Sequence, residues 1–348
     1  MIDFLKATAS EVENYIKGNP LKNVNVDYLK SGMLHLFNSG GKRIRPGLLT
    51  LFGLNCGASK TALLPLASAC EIFHTWTLVH DDIIDNDDSR RGNSTTHIML
   101  DEYATINFSK ATETFGTNMA ILSGDLQQAW VYQLILGIKS EVGAEKCLLV
   151  VDEITSVLTS KLICGEAVDV EFEHRAPESS QEILEMMANK TSALLEFCAM
   201  TGVLVATEGA TYAHPLVKKA GVFAKSAGLA FQLQDDILGI YGEEEVLGKP
   251  VGSDLVLGKH TLLRQYCLEL ASEQDFAVIE SFVGKKALSK EELDRARKII
   301  RTCGALKRVE DMARVLIDEA LLQLSHFPVN NYNSKLRDLA EFMYQRSM

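Results

Sequence analysis

The sequence predicts an all-α protein, a single large helical bundle running over residues 1–348, and three observations predict it. Apolar residues recur with the helical period, the long segments are rich in Ala, Leu, Met and Glu, and strand-like alternation and Asn-Gly hairpins are missing. Leu5, Ala9, Val12 and Ile16 mark one face of a first helix. Residues 61–87, 111–138, 144–172, 181–207 and 216–241 follow as long helical segments. Ser179 to Glu182, just after Pro177, and Ser289 to Glu292 have the spacing of capping boxes, which start helices. After Tyr241 the pattern breaks, because Gly242, Gly248, Pro250, Gly252 and Gly258 forbid a continuous helix. A loop of that length carrying Lys249 and Lys259 favours function. Size alone admits two domains, but several helices exceed 20 residues and no Pro/Ser-rich linker divides them. One domain is expected.

Composition narrows the chemistry. With 47% hydrophobic residues and only 7 prolines, the chain can bury a large core, which excludes disorder. A net charge of -11 makes it a poor general polyanion binder, so nucleic acid is excluded and any phosphate must meet a local basic cluster. The 7 cysteines are scattered, form no CxxC pair and, as in Leu162-Ile163-Cys164, read as small buried hydrophobes of a reducing cytosol. The N-terminus lacks a signal peptide's apolar region, and no stretch of about 18 residues is free of charge. A soluble cytoplasmic protein with no transmembrane segment is expected.

The strongest local signal is His80-Asp81-Asp82-Ile83-Ile84-Asp85. On a helix, Asp81 and Asp85 share a face, and such an oxygen-only pair suits Mg²⁺ bridged to phosphate oxygens. An acidic helix end facing water is the alternative. The apolar run from Cys70 to Val79 argues against it, since it makes the aspartates the cap of a buried helix. A second pair, Asp235-Asp236, follows the apolar stretch from Gly228. Two such helices could face one another across a cavity and hold several metal ions.

Basic groups accompany both acidic sites. Gly40-Gly41-Lys42-Arg43-Ile44-Arg45-Pro46 packs three cations behind a glycine pair, where arginine forks bind phosphate bidentately. Arg90-Arg91-Gly92 follows the first aspartates by about one helical turn; Lys190-Thr191, Lys249 and Lys259 add phosphate-sized donors. His74, seven residues before Asp81, lies on its face. Two anions are implied, one held through metal and carboxylates and one by Lys and Arg directly. Diphosphates fit both descriptions, and apolar walls would hold a hydrocarbon.

These residues resemble the trans-isoprenyl diphosphate synthase (polyprenyl synthetase) family. GGKRIRP at 40–46, HTWTLVHDDIID at 74–85, RRG at 90–92, KT at 190–191, FQLQDD at 231–236 and GKPVGSDLVLGKHTL at 248–262 stand in the family's order and spacing. The resemblance implies helices around a deep central cavity and a homodimer. It implies Mg²⁺-dependent head-to-tail condensation of isopentenyl diphosphate with dimethylallyl, geranyl or farnesyl diphosphate. Asp81, Asp85 and Asp235 match ligands of three Mg²⁺ ions, with Asp82 and Asp236 in the outer shell. Lys42, Arg45, His74 and Arg91 match the isopentenyl diphosphate site, with Arg43 an addition to it. Arg90, Lys190, Thr191, Gln232, Lys249 and Lys259 match the allylic diphosphate site; of these, Arg90 and Lys190 join Asp81, Asp85 and Asp235 as the catalytic set. The resemblance makes Trp76, flanked by Phe73 and Thr77, the floor that limits product length, which points to geranylgeranyl ahead of farnesyl diphosphate. Two departures stand out: Gly239 replaces the last aspartate of the second motif, and Glu166 stands where the family often has glutamine. A terpene cyclase would need no second, metal-free diphosphate site, and a non-catalytic subunit should have lost first-motif aspartates.

Overall fold

A computed structural model describes residues 1–110, 114–242 and 251–345. The all-α expectation holds, with 77% of the described residues helical. The strands found among the described residues are a two-residue pair, β1 (Ser89–Arg90) and β2 (Asn93–Ser94). The chain packs as two compact units, Met1–Thr155 with Cys198–Lys218 and Ser156–Phe197 with Lys219–Met348.

The first unit is built on α1 (Ile2–Gly18), α2 (Asp27–Asn38), α3 (Ile44–Asn55), α4 (Lys60–Ile84), α5 (Thr96–Asn107) and α6 (Phe115–Leu136), followed by α7 (Lys139–Val142) and α8 (Ala144–Glu153). Leu5, Val12 and Ile16 are buried on α1, with Thr8 rather than Ala9 completing that face. Helix α4 packs against α3 and α6 and buries Leu63, Leu66, Cys70, Phe73 and Val79. By length and composition α4 could cross a membrane, but 78% of its apolar window lies inside the protein. Its apolarity serves the core.

Helix α4 stops at Ile84, short of the expected residue 87. The Asp85 N–H bonds Asp81 O at 2.8 Å, and Asn86 then turns the chain out with φ 55°. Arg90-Arg91-Gly92 is therefore not another helical turn. Arg90 pairs with Asn93, and Arg91 and Gly92 carry φ 55° and 77°, the two positive values of a tight hairpin turn.

The second unit holds α9 (Thr159–Glu171), α10 (Ser180–Met187) and α13 to α18 (Ser253–Val256, Leu262–Leu270, Glu273–Glu280, Lys290–Thr302, Ala305–Gln323, Asn331–Tyr344). The long α11 (Ala193–Ala206) and α12 (Pro215–Tyr241) contribute Ala193–Phe197 and Lys219–Tyr241 to it. Phe172, Ile183, Leu233, Tyr266 and Val309 are in its core. Two segments expected as unbroken helices are interrupted by π turns, Ile154–Leu158 and Ala188–Ser192. A π turn adds a single residue to a helix, which leaves the apolar periodicity on either side legible and the turn itself invisible. The Ser289–Glu292 capping box forms in full. At Ser179 only half of one forms: its hydroxyl accepts from Glu182 N, while the Glu182 carboxylate accepts from Glu178 N instead.

One cysteine reading is corrected. Leu162 is buried, but Ile163 and Cys164 are exposed on α9. Cys70, Cys147, Cys198 and Cys267 are the buried ones, and all seven are free thiols.

Candidate active site

In the first unit the end of α4 carries the aspartate motif. Asp82 is fully buried, Asp81 is partly exposed and Asp85 is exposed at the helix cap. The hairpin returns Arg90 onto this end: its Nη2 donates to Asp81 Oδ2 at 3.1 Å, its Nε donates to Asp82, and Asp87 lies 3.6 Å away. Desolvation pushes the Asp82 carboxyl up to about 6 against the pull of Arg90. Its Oδ2 is buried without a hydrogen-bond partner.

About two turns back along α4, at His74, stands an anion-seeking cluster. Arg45 Nη1 donates to His74 Nε2 at 3.1 Å. An imidazole that accepts there carries its proton on Nδ1 and is neutral. Desolvation, then the charges of Arg45, Arg91, Arg43 and Arg90, hold the His74 pKa well below its ordinary value. The Arg45 Nε is buried without a partner, and Arg91 reaches back to the Gly40 carbonyl. Lys42 is exposed on the loop before α3.

Arg43 departs from expectation. It adopts the left-handed conformation at the start of α3 and turns inward, with its side chain 1% exposed. Its Nη1 meets Glu71 Oε1 at 2.6 Å, its Nη2 donates to Phe37 O at 2.6 Å, and the guanidinium lies 4.5 Å over the Phe37 ring. A group so engaged organises the loop and is not presented to a ligand.

In the second unit Lys190 and Thr191 lie on the π turn Ala188–Ser192, a feature often found at functional sites. With Gln232, Asp236 and Lys259 they line a cavity of about 150 Å³. Gln232 Nε2 donates to Asp236 Oδ1 at 3.3 Å, and Asp235 is partly exposed beside them on α12. Both departures from the family pattern have close neighbours here. Lys190 Nζ meets Glu166 Oε2 at 2.9 Å and Asp169 Oδ2 at 2.5 Å. Over Gly239, where a Cβ would sit, the buried Asp254 carboxylate comes to 2.9 Å. Lys249 lies outside the described residues.

The donor set fits a hard cation. Asp81, Asp82 and Asp85 offer oxygen alone, and one buried oxygen of Asp82 is unsatisfied, while Arg90 holds Asp81 and Asp82 in place. Among the described residues no trio of His, Cys, Asp or Glu is gathered as a ready metal centre. Glu71, Asp87, Asp169 and Asp254 join these sites without standing out as site residues in the motifs. Glu71 had a signal, as the one acidic residue in the apolar run of α4 before Asp81. Asp169 had one too, three residues from Glu166 and so on the same helical face.

A family model described as polyprenyl synthetase matches residues 26–300. The geranylgeranyl diphosphate synthase of Saccharolobus solfataricus is 33% identical over 341 residues, covering 96% of this chain and 93% of that protein. The crystal structure of geranylgeranyl pyrophosphate synthetase from Pyrococcus horikoshii Ot3 superposes with a TM-score of 0.84 at 29% identity, covering 99% of each chain. That of geranylgeranyl pyrophosphate synthase from Corynebacterium glutamicum, complexed with isoprenyl diphosphate and magnesium, gives 0.84 at 26% identity and 99% of each chain. Similarity of sequence and fold over nearly the full length leaves one assignment: the chain belongs to the polyprenyl synthetase family and is a prenyltransferase.

Proposed function

We propose that the chain is a Mg²⁺-dependent synthase that condenses isopentenyl diphosphate head-to-tail with dimethylallyl, geranyl and farnesyl diphosphates, with geranylgeranyl diphosphate as product ahead of farnesyl diphosphate. One observation carries this reading: α4 alone presents both phosphate-binding chemistries. His74, crowded by Arg45 and Arg91, is suited to a diphosphate held directly, and Asp81 with Asp82, paired to Arg90, to one held through metal. A cyclase with one diphosphate substrate would leave the first cluster without a purpose.

In this reading Lys42, Arg45, His74 and Arg91 bind isopentenyl diphosphate, while Arg90, Lys190, Thr191, Gln232, Lys249 and Lys259 bind the allylic diphosphate. Asp81, Asp85 and Asp235 would hold three Mg²⁺ ions, with Asp82 and Asp236 behind them. Bound Mg²⁺ would draw charge from the allylic diphosphate and make it a better leaving group. Neutral His74 and Arg45 orient the isopentenyl diphosphate, whose double bond attacks the allylic carbon as its C–O bond breaks. The departing diphosphate takes the proton, so no side-chain nucleophile is required. Phe73 and Trp76 meet edge to face with ring centroids 4.9 Å apart, and both are buried, Trp76 at 9% keeping more surface than Phe73 at 1%. That supports Trp76, with Thr77 above it, as the floor. The similarity to geranylgeranyl diphosphate synthases supports the product. We place the enzyme in the cytoplasm as a homodimer, for which Leu136 and Leu148, both exposed, offer apolar surface.

The test is incorporation of radiolabelled isopentenyl diphosphate by purified protein in Mg²⁺ with each allylic primer, products resolved by chain length. A C20 product is expected. Label incorporated with none of the primers would overturn the reading, and a product stopping at C10 would overturn the assigned floor.

A further inference from the structure

Helix α9 approaches the π turn Ala188–Ser192 as closely as backbone allows. A Cβ on Gly165 would lie 2.4 Å from Lys190 N and 2.9 Å from Asn189 C, so only glycine permits the contact. The approach sets the next residue, Glu166, and its helical neighbour Asp169 over the Lys190 side chain. Glu166 offers both oxygens to Nζ, at 3.1 and 2.9 Å, while Asp169 takes it at 2.5 Å. All three side chains are mostly buried, with exposures of 25%, 20% and 34% for Lys190, Glu166 and Asp169.

An ammonium has three protons, and two carboxylates already compete for them. Around the adjoining cavity, Asp169 and Asp236 balance Lys190 and Lys259. Glu166 tips that balance to net negative, where the neutral, equally sized glutamine would not. A diphosphate arriving at Lys190 must therefore displace a carboxylate and bind in its field.

We propose that Glu166 is a positioning residue that tethers Lys190 and weakens the site's hold on the allylic diphosphate, setting how readily that diphosphate is captured and released. The proposal rests on the reading of Lys190 as a ligand of the allylic diphosphate.

The test is Glu166→Gln, which keeps shape and a hydrogen-bond acceptor and removes the charge. Calorimetric titration with inorganic pyrophosphate in Mg²⁺ should show affinity tightened roughly three- to tenfold, the size of one partly screened like charge. The allylic KM should fall by a similar factor, with the isopentenyl diphosphate KM and the melting temperature unchanged. A merely structural role would lower the melting temperature and move both KM values together. Unchanged or weaker pyrophosphate affinity overturns the proposal. Should the glutamine variant fold poorly, Glu166→Ala must shift affinity in the same direction. Wild-type protein that condenses while Glu166→Gln binds as before defeats only this inference. Wild-type protein that neither binds pyrophosphate nor incorporates label defeats the functional reading beneath it.

Discussion

Replacing Arg43 by methionine separates a structural arginine from a substrate-binding one. Its ion pair with Glu71 spans 2.6 Å, and the two side chains are 1% and 4% exposed. Removing one partner of such a pair strands the other charge in the interior, at about 3–5 kcal/mol. Unfolding entropy of roughly 2.1 cal/mol/K per residue gives a chain of this length about 0.7 kcal/mol/K. The melting temperature should then fall by about 4–7 °C, read by far-UV circular dichroism. The companion variant Glu71→Leu in the same chain should recover most of that loss, since an apolar pair of similar volume removes the stranded charge. Steady-state kinetics on the folded single variant should show at most a small change in the isopentenyl diphosphate KM. A variant that melts like wild type with a tenfold higher KM would refute the reasoning and return Arg43 to the substrate site.

The remaining expectations follow from particular contacts. His74 is held neutral in the fold, with its pKa below the ordinary 6.5. Below that pH the unfolded chain takes up a proton the folded one refuses, so stability should fall as pH drops from about 7.5 to 5.5. His74→Gln should flatten that decline, and an equally steep decline in the variant would contradict the assignment. Gly239→Asp drives a second carboxylate toward the buried Asp254, which already stands 2.9 Å from the new Cβ. It should cost about 1–3 kcal/mol by thermal melting and change condensation only modestly; a gain of several orders of magnitude would show that the missing aspartate limits the enzyme. Trp76→Ala should lengthen the product by one or more five-carbon units and cost up to about 3–5 kcal/mol. An unchanged product from a well-folded variant would move the floor to Phe73.

What the sequence made legible was local. Asp81 and Asp85 are four apart on one helix, and the i to i+4 bond from Asp85 N to Asp81 O is present. The helices of the fold were readable for the same reason, since one apolar face needs only its own period. Contacts distant in sequence were not readable. Arg43 reads as a ligand-binding cation beside Lys42 until Glu71, 28 residues later, is seen to take it. Arg90 reads as a turn beyond the aspartates until a two-residue hairpin folds it back on them. Glu166 and Gly239 stand as bare departures from a pattern until Lys190 is seen to pair with the first and Asp254 to crowd the second. In each case the deciding partner lies on another element, where neither propensity nor periodicity reaches.

Condensation as proposed requires two diphosphates held by separate sets of side chains, one of them around Arg45 and His74. Measuring both Michaelis constants for Arg45→Ala tests it most directly. A charge-assisted contact is worth about 1.5–3 kcal/mol, so the KM for isopentenyl diphosphate should rise about ten- to a hundredfold. The KM for the allylic diphosphate should stay within about threefold of wild type, since its assigned ligands are a different set of side chains that does not include Arg45. Equal losses for both substrates would contradict this and leave one diphosphate site where the condensation requires two.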